Sequence, residues 1–164
     1  MLWILGVGVL ILVWAVAIYN GLVQLRVRSE GAWSDINVQL KRRYDLIPNL
    51  VETVKGYASH EQKVFLEVTK ARSQAMQASS PKEKEAAENF LSGTLKSLFA
   101  VAENYPQLRA NENFQSLQKS LSEVEEAVQS SRRYYNAVVR DYNTKIHVLP
   151  DSLVAQFGGF KPKE

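Results

Sequence analysis

His60 and Glu61 are the residues of this 164-residue chain with the clearest potential for metal chemistry. They match the first half of the zinc-binding pattern H-E-x-x-H, but position 64 is valine, so the second histidine ligand is missing. A di-iron centre in a helical bundle needs E-x-x-H pairs, and tyrosine and threonine precede His60 and His147 at that spacing. We therefore predict no metal site and place His60 in the first turn of a helix.

Covalent and nucleotide chemistry also lack their usual residues. The chain has no cysteine, which excludes disulfides and thiolate ligands, and its serines do not stand in a nucleophile-elbow motif. The eight glycines are scattered and form no phosphate-binding loop. A net charge of +3 is weaker than a nucleic-acid-binding protein usually carries. We predict no catalytic residue, no cofactor and no nucleic-acid partner.

The densest basic cluster is a candidate interaction site and consists of Lys41, Arg42 and Arg43. Three consecutive residues of a helix point in different directions, so they cannot all face one partner. One interpretation is a solvated helix face with one arginine turned towards a carboxylate of the bundle. The alternative is that the cluster binds an acidic segment of a partner.

Four further polar residues are candidate interaction residues near the predicted last helix. Glu103 and Tyr105 lie in the loop before this helix, and Arg132 and Arg133 interrupt its apolar pattern. The hydroxyls of Tyr135 and Tyr142, seam residues of this helix, need partners, and a carboxylate or a backbone group is the usual one. Asp35, Asp45 and Glu103 are candidate partners for these tyrosines and arginines. A polar pocket near Glu103, Tyr105 and Arg133 would indicate ligand binding.

Helical periodicity dominates the chain after residue 26. Apolar residues alternate steps of three and four and form a heptad seam over four repeats, which is typical of a coiled coil. We therefore predict one long helix from Asn111 to about Ile146, with a proline just past its end. The seam consists of Phe114, Leu117, Leu121, Val124, Val128, Ser131, Tyr135, Val138 and Tyr142.

Three earlier helices follow from the same spacing and from capping residues. The first continues the N-terminal apolar segment and should be kinked by Pro48. The second should begin with a capping box formed by Ser59 and Gln62 and end near Ala78. The third should have Ser80 as its N-cap, with a proline at the first helical position.

The N-terminal segment is apolar, and Arg26 is the first charged residue. Leu2 to Leu25 would extend about 36 Å as a helix, enough to cross a hydrocarbon core near 30 Å. An A-x-A sequence at residues 15–17 makes a cleaved signal peptide the alternative, but no basic residue precedes the apolar run. Because Arg26 and Arg28 follow the segment, the C-terminal part should be cytoplasmic and the N-terminus outside.

Together these elements predict an all-α protein. A single N-terminal transmembrane helix would continue into a cytoplasmic antiparallel four-helix bundle with long first and fourth helices. The expected parts are an anchor at 1–25, a bundle at 26–149 and a tail at 150–164. Since the fourth helix should return towards the membrane, the apolar tail would either touch the bilayer surface or dock on the bundle. Arg26 and Arg28 would contact lipid headgroups.

Several sequence segments resemble one bacterial family. They are AWSDI at 32–36, QLKRRYDLIPNLVETVKGYASHE at 39–61, ARS at 71–73, AVAENYPQLRAN at 100–111, YNAVVRDY at 135–142 and GF at 159–160. These segments are similar to the LemA family of bacterial membrane proteins, and the match covers nearly the whole chain. The resemblance implies an N-terminal anchor carrying a cytoplasmic helical bundle in the bacterial inner membrane. It implies no catalytic residues.

The predicted function is that of a membrane-tethered scaffold or adaptor without catalysis. Its partners would be the lipid bilayer and either further copies of the chain or an unidentified membrane or cytoplasmic protein. Gly6 and Gly8 would let two spans approach closely, although their spacing is not GxxxG. The alternative is a ligand-binding or regulatory bundle, including an unrecognised enzyme, that uses a polar pocket near Glu103, Tyr105 and Arg133.

Overall fold

All regular secondary structure in the computed structural model, which describes residues 2–163, is α-helical. This confirms the predicted all-α class. The helices are α1 (Leu2–Lys55), α2 (Gln62–Gln77), α3 (Pro81–Glu103), α4 (Pro106–Arg109), α5 (Glu112–His147) and α6 (Asp151–Phe157). The predicted anchor and tail also include Met1 and Glu164, which lie outside the described residues.

The first helix, α1, is a single element of 54 residues that joins the N-terminal apolar segment to the charged part of the chain. The prediction that the apolar segment continues as the first long helix is therefore confirmed. Pro48 lies inside α1 and removes one backbone hydrogen bond, at a cost of about 3 kcal/mol. Ile47, Leu50 and Val51 on either side of it are buried, and burying side chains of this size contributes roughly 1.5–3 kcal/mol each.

The two following helices begin in different ways. The N-cap of α2 is Glu61, without a side-chain hydrogen bond, so the predicted capping box of Ser59 and Gln62 is wrong. Ser59 lies in a turn before the helix, and Gln62 Nε2 donates to its backbone carbonyl instead, at 2.9 Å. The predicted start of α3 is confirmed, because Ser80 and Glu83 form a reciprocal capping box.

The long helix α5 confirms the predicted element to within one residue at each end. Asn111 caps its start, since the Phe114 backbone N–H donates to Asn111 Oδ1 at 2.9 Å. All nine seam residues are buried or half-buried. Two short helices were not predicted: α4 occupies the expected loop before α5, and α6 occupies the expected tail.

The chain forms two compact units. Residues 37–128 make up one of them, which we call the continuous unit; its α3 packs on both α2 and α4. Its buried core includes Leu40, Ile47, Leu50, Val54, Phe65, Val68, Leu91, Leu95, Leu98, Leu108, Phe114, Leu121 and Val124.

Residues 1–36 and 129–164 make up the other, which we call the split unit. Its core cluster consists of Ile18, Leu22, Tyr142, Ile146 and Ala155, with Leu25, Val154 and Phe160 packed at the edge. Beyond this cluster, the Trp33 and Tyr135 rings lie 5.3 Å apart between centroids. The beginning of α1, the end of α5 and the C-terminal segment therefore pack together.

Candidate functional site

The N-terminal part of α1 has the length and composition of a membrane span, and among residues 2–163 it is the one helix that does. Only 6% of its most apolar 18-residue window is buried inside the protein, whereas the core helix of a soluble protein is mostly buried. Large side chains such as Leu2, Trp3 and Leu10 are mostly exposed. An apolar surface of this extent requires an apolar environment, and a bilayer provides one.

The C-terminal segment docks on α1 just beyond this exposed stretch. Ala155 of α6 packs in the cluster with Ile18 and Leu22. The Phe160 ring meets the Tyr19 ring edge to face, with 5.4 Å between centroids. Gly158 makes this approach possible, because a Cβ there would lie 2.6 Å from the Phe160 ring and 3.2 Å from the Tyr19 ring.

Lys163 joins the C-terminal segment to both long helices. Its backbone N–H donates to Asn143 Oδ1 at 2.9 Å, and Asn143 Nδ2 donates to the Lys163 carbonyl at 2.8 Å. Its ammonium group donates to the buried Ser29 hydroxyl at 2.9 Å and lies 3.2 Å from the Glu30 carboxylate. Ser29 in turn donates to the Arg26 carbonyl at 2.6 Å. We call Ser29, Asn143 and Lys163 the tail lock.

Tyr142 adds a further contact next to the tail lock. Its hydroxyl donates to the Lys161 carbonyl at 3.0 Å, so the partner is a backbone group, one of the two kinds predicted, and not one of the three carboxylates named as candidates. Burial raises the pKa of this phenol, because an ionised oxygen would lose hydration there. Its hydroxyl therefore stays protonated and able to donate at neutral pH.

A second polar site lies in the core of the continuous unit and is centred on Arg43 and Glu88. Arg43 Nη1 donates to Glu88 Oε2 at 2.8 Å, and Nη2 donates to Ser92 Oγ at 2.8 Å and to Glu125 Oε1 at 2.7 Å. The Tyr44 hydroxyl donates to the other Glu88 oxygen. The side chains of Arg43 and Glu88 are 5% and 1% exposed, whereas that of Glu125 is 48% exposed.

The Arg43 contacts join α1, α3 and α5 in one network of charge-assisted hydrogen bonds, which are stronger than neutral ones. The network extends to α2, since Arg72 Nε donates to the Tyr44 carbonyl at 2.7 Å. Arg43 is thus the arginine that turns towards a carboxylate, as one of the two interpretations predicted. Lys41 and Arg42 are exposed.

A groove of about 780 Å³ lies at the α3–α5 end of the continuous unit. It is lined by Phe99, Glu103, Asn104, Arg109, Gln115 and Gln118, among others. Of the residues predicted for a polar pocket, Glu103 lines this groove, Tyr105 is a half-buried neighbour, and Arg133 belongs to the split unit. In the part of the chain that the structure describes, no cluster of three His, Cys, Asp or Glu side chains could hold a metal ion.

The remaining predicted site residues all lie in the split unit. Arg26 and Arg28 are exposed on α1, and the Arg26 guanidinium lies 6.0 Å from the centroid of the Phe160 ring. On α5, Arg132 is half-buried and Arg133 is exposed. Within this unit, the structure therefore places Arg26 beside the C-terminal segment.

Comparison with known families identifies the chain. A family model described as "LemA family" matches residues 32–164, which is most of the chain. The chain belongs to the LemA family. The predicted family membership is thereby confirmed.

Individual relatives of this LemA-family chain include magnetosome proteins. Magnetosome protein MamQ 2 of Paramagnetospirillum magneticum and magnetosome protein MamQ of Magnetospirillum gryphiswaldense are each 24% identical over 172 residues. The match covers 89% of this chain but 63% of each relative's length. Protein LemA of Metamycoplasma hominis is 26% identical over 157 residues, covering 93% of this chain and 70% of that protein.

The sequence did contain a signal for the buried network of this LemA-family chain. Arg43 follows Leu40 by three residues and precedes Ile47 by four, so it stands on the apolar seam of α1. Glu88 precedes Leu91 by three residues and occupies the corresponding position on α3. A charge at a seam position indicates a buried partner of opposite sign.

Proposed function

We propose that this LemA-family chain is a single-pass, membrane-tethered scaffold or adaptor that acts by protein–protein interaction or by lateral self-assembly. It lies in the bacterial inner membrane, with its N-terminus outside and the charged helical part in the cytoplasm. An antiparallel four-helix bundle with coiled-coil pairing of its long helices is part of this proposal. Its partners are the bilayer and either further copies of the chain or another protein.

The observation that carries the proposal is the continuity of α1. One helix leads from an exposed apolar segment, long enough to span a bilayer, into a charged helical region with a packed core. The basic residues that follow the segment, beginning with Arg26 and Arg28, support a cytoplasmic orientation by the positive-inside rule. Tethering confines the helical region to the membrane plane and raises its effective concentration for partners there.

An absence of catalysis is the interpretation favoured by the ionisable groups. The buried Arg43 and Glu88 neutralise each other in a network that holds three helices, rather than facing a cleft. Catalytic groups usually line an accessible pocket. The relatives are named as magnetosome proteins and as protein LemA, and none of these names states an enzymatic activity.

The test is crosslinking of the full chain in native membranes, followed by mass spectrometry. We expect the chain to stay in the membrane fraction after alkaline carbonate washing and to crosslink to its own copies or reproducibly to a second protein. A Leu10→Arg variant is the control, since a charge at the centre of a span opposes insertion by about 3 kcal/mol. Release of the unaltered chain by carbonate, or crosslinks no more frequent than in the control, would contradict the proposal.

The groove near Glu103 supports a second candidate function, namely ligand binding or regulation by a small molecule. Its lining includes one acidic residue, Glu103, one basic residue, Arg109, and the amide residues Gln115 and Gln118. Native mass spectrometry of the chain purified from cells would detect a bound molecule. If the groove binds this molecule, it should be lost from the double variant Glu103→Gln/Arg109→Gln and retained in the control Arg133→Gln, because Arg133 is not among the lining residues.

A further inference from the structure

The outward side of the C-terminal segment is unusually apolar. Within ten residues it exposes Val148, Leu149, Leu153 and Phe157, and Leu149 and Phe157 are 76% and 94% exposed. Leu153 and Phe157 are four residues apart on α6 and therefore lie on one face. The opposite side of α6 is also apolar, because Ala155 packs in the core of the split unit. This helix thus has one apolar side against the protein and another without a partner in the described residues.

The position of α6 along α1 indicates what covers the second side. Ala155 packs in the cluster with Ile18 and Leu22, which precede Arg26 by about 12 Å and 6 Å along the helix axis. A bilayer core near 30 Å requires about 20 helical residues, so a span that begins at Leu2 extends to about Gly21. Helix α6 therefore docks on α1 at the depth where the hydrocarbon core ends, between the span and the first charged residue, Arg26.

The charges around α6 agree with this depth. Asp151 is the one acidic residue in the sequence from 150 to 163, and the Lys145 ammonium lies 3.9 Å from its carboxylate. Lys161 is exposed after the helix, and Arg26 lies beside Phe160. Basic side chains at this level would meet lipid phosphates, while the apolar side chains of α6 face the acyl chains.

We propose that α6 and the turn before it lie in the bilayer interface, with Leu149, Leu153 and Phe157 inserted at the boundary between headgroups and acyl chains. The C-terminal segment then provides a second membrane contact, fixed to the first by the tail lock. The proposal commits to lipid as the occupant of this apolar side. It rests on the proposed function in one respect, because it requires that α1 spans the membrane.

The experiment measures depth with nitroxide spin labels on the full chain. Since the sequence contains no cysteine, each single-cysteine variant carries one label. The labelled sites are Phe157→Cys, a second α6 variant Leu153→Cys, a span reporter Val9→Cys and a matched control Asn136→Cys. Asn136 is exposed on α5 and follows Tyr135, whose ring packs on that of Trp33. Trp33 lies about 16 Å beyond Leu22 along the axis of α1.

Each variant is reconstituted into vesicles of phosphatidylethanolamine and phosphatidylglycerol, and its collision rates with oxygen and with a water-soluble nickel chelate are measured. We expect residues 9, 153 and 157 to collide often with oxygen and rarely with nickel, giving an oxygen-to-nickel ratio several-fold above that at residue 136. Far-ultraviolet circular dichroism confirms that each variant retains its helices.

The outcomes separate this inference from the proposed function. Lipid-like collision rates at residue 9, combined with nickel access at residues 153 and 157 equal to that at 136, would overturn the inference alone. Low collision rates with both reagents at 153 and 157 would also overturn it, because they indicate protein contact rather than lipid. Nickel access at residue 9 would refute the membrane span, and the second contact with it.

Discussion

Replacing Arg43 with methionine tests whether the buried network holds the continuous unit together. The substitution keeps an unbranched side chain in the core and removes three hydrogen bonds, to Glu88, Ser92 and Glu125. It leaves the Glu88 carboxylate buried without its guanidinium partner, while the Tyr44 hydroxyl still donates to it. The perturbation is therefore a buried charge that has lost its counterion, rather than a cavity.

The size of the effect follows from the exposure of the two carboxylates. Glu125 is half-exposed and regains water, so its loss of Arg43 costs at most about 1 kcal/mol. Glu88 is 1% exposed, and removing one partner of a buried pair costs about 3–5 kcal/mol. The buried methionine offsets part of this, so we expect the free energy of unfolding to fall by about 3 kcal/mol. The corresponding change in Tm is a decrease on the order of 10 °C.

Guanidinium unfolding of the full chain in detergent micelles, followed by circular dichroism at 222 nm, measures this change. Arg42→Met is the matched control, because the adjacent Arg42 is exposed and bonds only Gln39 among the described residues, at 3.2 Å. Its effect should stay within about 0.5 kcal/mol. A double variant with Glu88→Gln should be more stable than Arg43→Met alone, since no charge then stays buried. Equal effects at positions 42 and 43, or additive losses in the double variant, would refute the reasoning.

Three further predictions concern the helix start at α3 and the docked tail. Ser80→Ala removes the side chain that caps α3 and should cost about 1 kcal/mol in chemical unfolding. The backbone N–H of Ser80, with that of its neighbour, holds the pKa of Glu83 below its ordinary value. The ionised Glu83 carboxylate therefore stabilises the folded state at neutral pH, and this stabilisation is lost as the pH falls through the lowered pKa. The difference in unfolding free energy between wild type and Glu83→Gln should accordingly vanish in an acid titration. Gly158→Ala would displace the Phe160 ring from Tyr19 and should raise the rate of proteolysis of the C-terminal segment. Gly159→Ala is the control: a Cβ at Gly159 would meet open space, but its φ of 70° strains the backbone of other residues, so this variant shows the effect of strain without the clash.

The long helices could be predicted because their apolar periodicity extends over many turns. The seam of α5 defined that helix to within one residue, and Ser80 marked the start of α3 because its capping pattern is local in sequence. The four residues of α4 and the seven of α6 contain too few turns for a period to appear. The incorrect start of α2 has a similar cause, since backbone turns between Val54 and Glu61 delay the helix to Gln62.

The sites were less predictable, because their contacts join residues far apart in sequence. Arg43 was identified as a candidate, but its partner Glu88 was not, although both interrupt apolar seams. Spacing shows that a charge is buried and does not show which helix supplies its partner. The tail lock has even less local signal, since Lys163 and Ser29 are 134 residues apart. Three-dimensional packing alone brings them together.

Because the split unit consists of residues 1–36 and 129–164, its two segments are synthesised at different times, and this constrains the order in which the parts of the protein can pack. A ribosome adds about 5–20 residues per second, so the α5 residues that pack on Ile18 and Leu22 follow them on the order of ten seconds later. In that interval the continuous unit can complete its contacts, because all of its residues precede Gln129. Residues 1–36 are meanwhile available to the insertion machinery, before Lys163, the later partner of Ser29, has been synthesised. For the span proposed above, chain order therefore allows membrane insertion to precede closure of the split unit.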